Sequence, residues 1–227
     1  IHNNYQCSLS SFKPVSGGDI DSYIKSLSSS KAITDYIPLK VFKAIAPIIL
    51  PSLTHIVNLN LSSGKVPDIF KIANVTPIHK GDDTKDPDNY WPISILPIVS
   101  KCIEHCVSEQ VTEYFETNHL LTSSQYGFRK NHSTTYLTLD LFDKIFDNKS
   151  KKNTPAILFL DIKKAFDTVD HNILINKLKF YGVDGTVILW FKSYLTGRQQ
   201  CTKFAGKIST YLALKCGVPQ GSLLGPL

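Results

Sequence analysis

Apolar positions along this chain follow two periods, and each predicts its own kind of element. A helical period of about 3.6 residues runs through 19–27, where Ile20, Tyr23, Ile24 and Leu27 fall on one side. A Ser-rich link over 26–30 follows. Residues 38–63 predict one or two helices, interrupted at Pro47 and Pro51 and closed by Gly64, because proline removes a helical donor and glycine accepts a left-handed cap. The stripe Ile98, Cys102, Ile103, Cys106, Val107, Val111, Tyr114 and Phe115 predicts a long helix over 97–117 with one core face. Further helices are expected over 134–147, 169–181 and 185–195, the last two split at Gly182. Strand-like runs fill the rest: 70–80 is rich in β-formers, and 198–204 with 208–216 make a hairpin around Ala205-Gly206-Lys207. The fold class is therefore α+β, with helices laid over a sheet.

One strand carries a chemical peculiarity. Residues 156–160 are unbroken Ala-Ile-Leu-Phe-Leu behind Pro155, too short for a typical helix, and predict a strand buried on both faces that ends on Asp161. A carboxylate buried there is costly unless it is paired, hydrogen-bonded or bound to a metal. Two explanations compete: Asp161 or Asp167 caps the 169–181 helix, or Asp161 does chemistry. Asp167 and Asp170 fit caps or surface carboxylates better than metal ligands. At the far end, Gly217-Val-Pro-Gln-Gly-Ser-Leu-Leu-Gly-Pro-Leu227 combines a Pro/Gly turn, glycines that let a backbone approach a ligand, one amide side chain at Gln220, and Ser222 as a candidate helix N-cap.

Together, Phe159-Leu-Asp-Ile-Lys-Lys-Ala-Phe-Asp-Thr-Val169 and Gly217-Val-Pro-Gln-Gly-Ser-Leu-Leu-Gly-Pro226 resemble the first and second palm motifs of a reverse transcriptase of the non-LTR, LINE-like (jockey-type) retrotransposons. The resemblance extends over nearly the whole chain. Phe12-Lys-Pro-Val, Ser30-Lys-Ala, Ile37-Pro and the segment from Asn58 through Gly64-Lys-Val-Pro67 resemble the lead-in of that family, with a departure at Ile33-Thr34, where the family has a glycine. Asn89-Tyr-Trp-Pro-Ile-Ser-Ile-Leu96 resembles its Asn-Tyr-Arg-Pro-Ile-Ser-Leu-Leu, with Trp91 in place of the arginine. Gln125-Tyr-Gly-Phe-Arg-Lys-Asn-His-Ser-Thr-Thr135 resembles its Gln-Phe-Gly-Phe-Arg-x-x-x-Ser-Thr.

The resemblance implies a right-hand polymerase fold with fingers and a partial palm: a helical lead-in over 1–66, fingers over 67–154, and over 155–227 a partial palm with helices and a hairpin contributed to the fingers. It implies RNA-directed DNA synthesis, with an RNA template, a DNA primer and dNTPs as partners and no membrane. Asp161 and the backbone carbonyl of Ile162 would be ligands for two Mg²⁺ ions, hard cations that take oxygen donors and stabilise both the attacking 3′-hydroxyl and the pyrophosphate leaving group. Lys80 would reach the incoming triphosphate. Phe166 would stand where the family blocks a ribose 2′-hydroxyl, Gln220 and Gly221 would line the nascent base pair, and Arg129 would contact the template. An indole at Trp91 neither neutralises a phosphate nor makes the bidentate contact of a guanidinium, which suggests a decayed copy or a lineage variant. The family's third palm motif, an aromatic-Ala-Asp-Asp hairpin, and its thumb would follow Leu227. With one of three carboxylates, these 227 residues alone are expected to show no polymerase activity.

Composition narrows the picture without deciding it. With 42 % hydrophobic and 19 % charged residues the chain is ordinary globular material, for which disorder is not the default. A net charge of +6 suits a polyanionic partner. Five cysteines without a Cys-x-x-Cys pair or a matching His cluster argue against zinc and against a disulfide framework, and Cys102 and Cys106 read as small hydrophobes. No signal-peptide pattern opens the chain, and the apolar run 45–53 is expected to be too short to span a bilayer, so an intracellular place, nuclear or cytoplasmic, is expected. A start at Ile1 and the lack of methionine suggest a piece of a longer product.

Two other classes compete. A haloacid-dehalogenase-type phosphatase also begins with a hydrophobic strand ending in Asp, but needs an acid two residues later, where this chain has Lys163. The other is a non-catalytic, nucleic-acid-binding remnant of a decayed or domesticated element.

Overall fold

The computed structural model describes residues 7–28 and 37–227. The Ser30-Lys31-Ala32 and Ile33-Thr34 positions singled out above lie outside them. The first helix, α1 (Gly17–Ser26), opens on a capping box in which the Ser16 hydroxyl accepts from the Asp19 amide while the Asp19 carboxylate accepts from the Ser16 amide. Its Ile20 and Ile24 enter the core.

The second helix corrects the expected interruption. α2 (Leu39–Ser63) runs unbroken through Pro47 and Pro51 and ends on Gly64 at φ 64°. Both prolines lie one turn apart on the exposed side, where the carbonyls they leave unbonded can meet water. The opposite side carries Leu39, Phe42, Ala46, Leu53, Val57 and Leu61 into the core against α1, α3 (Ile98–Thr117) and α6 (Gly185–Leu195). This burial outweighs the local preference to break. The apolar run 45–53 therefore belongs to a 25-residue helix that is long and apolar enough to cross a membrane, and the argument from a short segment no longer applies.

The stripe of α3 is as expected, with Ile98, Cys102, Ile103, Cys106, Val107, Val111, Tyr114 and Phe115 all buried. Burial pushes the Cys106 thiol up to about 12, so it packs as a small hydrophobe. From α6 come Val187, Ile188, Trp190, Phe191, Tyr194 and Leu195. α4 (Thr134–Ser150) is capped by Ser133 and buries none of its residues. α5 (His171–Phe180) is capped by Asp170, whose carboxylate accepts from the amides of Asn172 and Ile173 at 2.8 and 2.9 Å. The cap is thus neither Asp161 nor Asp167.

The sheet has five strands. β1 (Ile72–His79) pairs antiparallel with β2 (Tyr90–Ile95) and, on its other edge, parallel with β3 (Gln199–Phe204). β4 (Lys207–Ile208) and β5 (Leu212–Ala213) both pair antiparallel with β3. The sequence pattern predicted β1 and a hairpin of 198–204 with 208–216, of which β3 forms as expected while the returning strand is reduced to the two short pieces β4 and β5; it did not predict β2. Residues 156–160, expected to be a buried strand ending on Asp161, adopt neither strand nor helix, and Leu158, Phe159 and Leu160 are each more than 80 % exposed. Strands exist through ladder hydrogen bonds, and no described strand lies alongside this segment, since β1 spends both of its edges on β2 and β3. Nor does a helix follow Ser222. Its hydroxyl donates to the Pro219 carbonyl at 2.8 Å and accepts from the Gly225 amide at 2.9 Å, closing a turn.

Candidate functional site

The two motifs, distant in sequence, meet at one cleft. Two backbone bonds zip them together: the Gly217 amide donates to the Val169 carbonyl and the Val218 amide to the Phe166 carbonyl, both at 2.8 Å. The His171 ring holds the same junction, with Nε2 2.7 Å from the Gly217 carbonyl oxygen. Gly217, at φ 82°, is needed here, because a Cβ would stand 2.9 Å from the Asp167 carbonyl oxygen. The loop then crosses to the sheet, where the Ser94 amide of β2 donates to the Gln220 carbonyl at 2.7 Å. Gly221, at φ 108°, lies so close to β2 that a Cβ would come within 3.0 Å of the Ser94 carbonyl oxygen.

Between loop and sheet lies a cleft of about 430 Å³, floored by Val75, Pro92, Ser94 and Gln200 and walled by residues 213–220 and Asp167. By strand alternation and register, Val75, Pro92 and Gln200 share a sheet face with Pro77, Tyr90, Thr202 and Phe204. Those four line a second groove of about 330 Å³ with Thr84, Lys85 and Pro87. One face of the sheet therefore runs from the Gly217–Gly221 turn to an aromatic groove where the Tyr90 and Phe204 rings meet edge to face at 6.0 Å.

Phe166 is half-buried, and its ring lies against Gly225. Gln220 lines the cleft. Lys80 is exposed just beyond β1, its ammonium donating to the Asp88 carbonyl at 2.8 Å, while Lys164 reaches the Asp88 carboxylate at 3.3 Å. The hairpin bearing Lys80 and the motif bearing Asp161 are thus joined through Asp88. Trp91 sits on β2 across from Ile78 and is half exposed. Asp161 and Ile162 are exposed on the unpaired segment and do not line the cleft. Among the described residues no group of three His, Cys, Asp or Glu side chains could hold a metal ion. Two oxygen donors are fewer than a hard divalent cation takes, so by themselves these residues do not fit a Mg²⁺ site.

Arg129 has another partner than nucleic acid. Its guanidinium grips Glu116 through Nε and Nη2 at 3.0 and 2.7 Å and donates from Nη1 to the Thr122 carbonyl at 2.9 Å. The bond from Arg129 holds the Glu116 carboxyl below its usual range. Nothing in a spacing of 13 residues across a loop signalled this pair.

Sequence reasoning also missed Glu104, which is 1 % exposed within α3. Its Oε1 accepts from the Tyr194 hydroxyl at 2.7 Å and its Oε2 from the Leu223 amide at 3.0 Å. Burial raises the Glu104 carboxyl above its ordinary range, against the Tyr194 and Leu223 bonds and the positive charges of Arg198 and Lys101, which lower it. The signal was available: Glu104 falls at helical spacing between Ser100 and Val107, on the apolar side of α3.

The sequence is similar to known proteins. The family described as "Reverse transcriptase (RNA-dependent DNA polymerase)" matches residues 78–227. The chain is 33 % identical over 223 residues to a probable RNA-directed DNA polymerase from transposon BS of Drosophila melanogaster, covering 95 % of this chain and 24 % of that protein. It is 35 % identical over 165 residues to the corresponding protein of transposon X-element from the same species, covering 70 % of this chain and 17 % of the other. A type-1 retrotransposable element R2 polyprotein of Popillia japonica is 26 % identical over 221 residues, covering 95 % of this chain and 29 % of the polyprotein. The chain thus spans less than a third of the length of these relatives. It belongs to the reverse transcriptase family, in the branch carried by non-LTR retrotransposons.

Proposed function

We propose that this chain is the fingers and part of the palm of an RNA-directed DNA polymerase, with the lead-in over 1–66, fingers over 67–154 and palm segment over 155–227. The observation that carries this is the junction of segments 166–171 and 217–221 against β2. Gln220 lines the cleft, Gly221 lies beside it against Ser94, the Phe166 ring rests nearby against Gly225, and Lys80 stands at the end of the neighbouring hairpin. In the proposed reaction a primer 3′-oxygen attacks the α-phosphorus of a dNTP paired to RNA. The Pα–O bond to the β-phosphate breaks, pyrophosphate leaves, and the hydroxyl proton passes to solvent.

Within this reading Lys80 is a phosphate contact, because an exposed ammonium on a flexible stem suits a mobile triphosphate. Phe166 selects deoxyribose by its bulk, and Gln220 and Gly221 shape the base-pair floor. Asp161 and the Ile162 carbonyl are the ligands this chain would give to two Mg²⁺ ions, with the remaining carboxylates supplied by other residues. Arg129 would meet a template only by leaving Glu116. The aromatic groove at Tyr90 and Phe204 offers stacking surfaces for unpaired bases, beside Lys85. An intracellular site of action follows from these substrates. The 227 residues alone are inactive in this account, since they hold too few carboxylates for the metals.

One observation favours a second reading, a nucleic-acid-binding remnant without catalysis: Trp91 occupies the place of a phosphate-binding arginine. Primer extension on an RNA template separates the two when Asp161→Asn is compared with wild type in a polypeptide extended through the aromatic-Ala-Asp-Asp segment. Extension by wild type that is lost in the variant supports the polymerase. Salt-sensitive RNA binding with no incorporation by either supports the remnant.

A further inference from the structure

We infer that Glu104, with Arg198 and Tyr194, is a buried positioning device that fixes residues 220–224 against the helical core and so sets where Gln220 and Gly221 stand. The inference rests on the cleft proposed above for its consequence in binding, but not for its geometry. Both carboxylate oxygens of Glu104 are committed, one to the Tyr194 hydroxyl and one to the Leu223 amide. The loop that shapes the cleft is thus pinned on two sides, to β2 through Gln220 and to α3 through Leu223. Ser222, between them, is buried.

Arg198 completes the device. Its side chain is fully buried, its Cζ sits 4.6 Å from the centroid of the Tyr194 ring, and its Nη1 donates to the Tyr194 carbonyl at 3.1 Å. Its Nε and Nη2 find no hydrogen-bond partner among the described residues. A guanidinium with such poor satisfaction is expensive to bury, and the Glu104 carboxyl is near enough to interact with it electrostatically. Tyr194 is itself fixed from behind, stacked at 5.1 Å on Trp190, whose Nε1 donates to Asn60 at 2.6 Å. Apolar side chains of similar volume would fill this space, and what they would lack is an acceptor for the Tyr194 hydroxyl and for the Leu223 amide. A carboxylate is placed here to hold the loop rather than to fill the core.

The test is a Glu104→Met/Arg198→Met double variant of the 227-residue chain, which removes both charges and keeps the volume. Hydrogen exchange is followed at residues 220–224 and at Ile103 and Val107 in α3, with dNTP binding followed in parallel. The expected result is a variant that still folds cooperatively, with unchanged exchange in α3. Exchange at Leu223 should rise about tenfold, the cost of losing a buried hydrogen bond, and dNTP affinity should fall. Protection at Leu223 equal to wild type in the folded double variant would overturn the inference, because the loop would then be held by its own turns. If the double variant does not fold, Tyr194→Phe decides. It keeps both charges and the Leu223 bond but frees Oε1, so a smaller rise in exchange at Leu223 is expected, and none contradicts the device. Wild type that binds no dNTP refutes the proposed cleft, while the exchange data still decide the positioning role.

Discussion

The Ser94 amide donates to the Gln220 carbonyl at 2.7 Å, and this one bond joins a strand of the sheet to the turn that closes the cleft. It leaves no room for a side chain at the next residue. Gly221→Ala puts a Cβ within 3.0 Å of the Ser94 carbonyl oxygen at a φ of 108°. The expected cost is about 1–3 kcal/mol from strained backbone alone, read as a lowered melting temperature, with faster amide exchange at Ser94. A variant as stable as wild type would mean that the turn moves freely relative to β2.

Glu104 makes stability depend on pH in an uncommon direction. Its folded-state carboxyl lies above its ordinary value of 4.5, with burial as the main cause, and Tyr194, Arg198, Lys101 and the Leu223 amide around it. The folded state then holds the proton more tightly than the unfolded chain. Stability from this group is greatest at low pH and is lost as pH rises from about 4.5 to the raised folded value. Subtracting the pH profile of Glu104→Gln from that of wild type should expose this fall. A flat difference above pH 4.5 would place the carboxylate in a wetter setting.

Glu116 should do the opposite. The bond from Arg129 holds its carboxyl below the ordinary value of 4.5, so its contribution is present above that pH and is lost as pH falls through the depressed folded value. Arg129→Ala should remove this acid sensitivity. If the guanidinium instead leaves Glu116 for a template, added RNA should reproduce part of the same change in wild type, and an RNA-independent profile would assign Arg129 to the fold alone.

These cases show what the chain declared in advance. The stripe of α3, the bounds of α6 and the Gly64 cap were legible because packing reinforced local preference. Pro47 and Pro51 misled because their broken bonds face solvent while the other side of α2 is held by the core. The run 156–160 reads as a strand from composition, yet a strand needs neighbours, which a hydrophobic pattern cannot supply. The two motifs that hold Phe166 and Gly217, which do meet through backbone bonds, were legible as segments. Their closure through Val169, His171 and Ser94 was not, since it depends on backbone groups with no sequence signature.

Trp91→Arg tests the departure from the family pattern. The side chain is half exposed on β2, so the change should alter stability by no more than about 0.5 kcal/mol. A guanidinium there should raise dNTP affinity about tenfold, the worth of one charge-assisted bond. Unaltered affinity would mean that position 91 does not face the triphosphate in this chain.

The central claim is that the cleft between residues 213–220 and β2 takes the incoming nucleotide. The most direct measurement is a dNTP titration of the 227-residue chain in Mg²⁺, followed by amide NMR shifts and repeated with the matching rNTP. The account predicts saturable shifts at Lys80, Phe166, Gln220 and Gly221, weaker with the rNTP, and a return of that weaker response towards the dNTP one in Phe166→Ala. Shifts confined to other surfaces, or equal responses to both nucleotides in wild type, would contradict it.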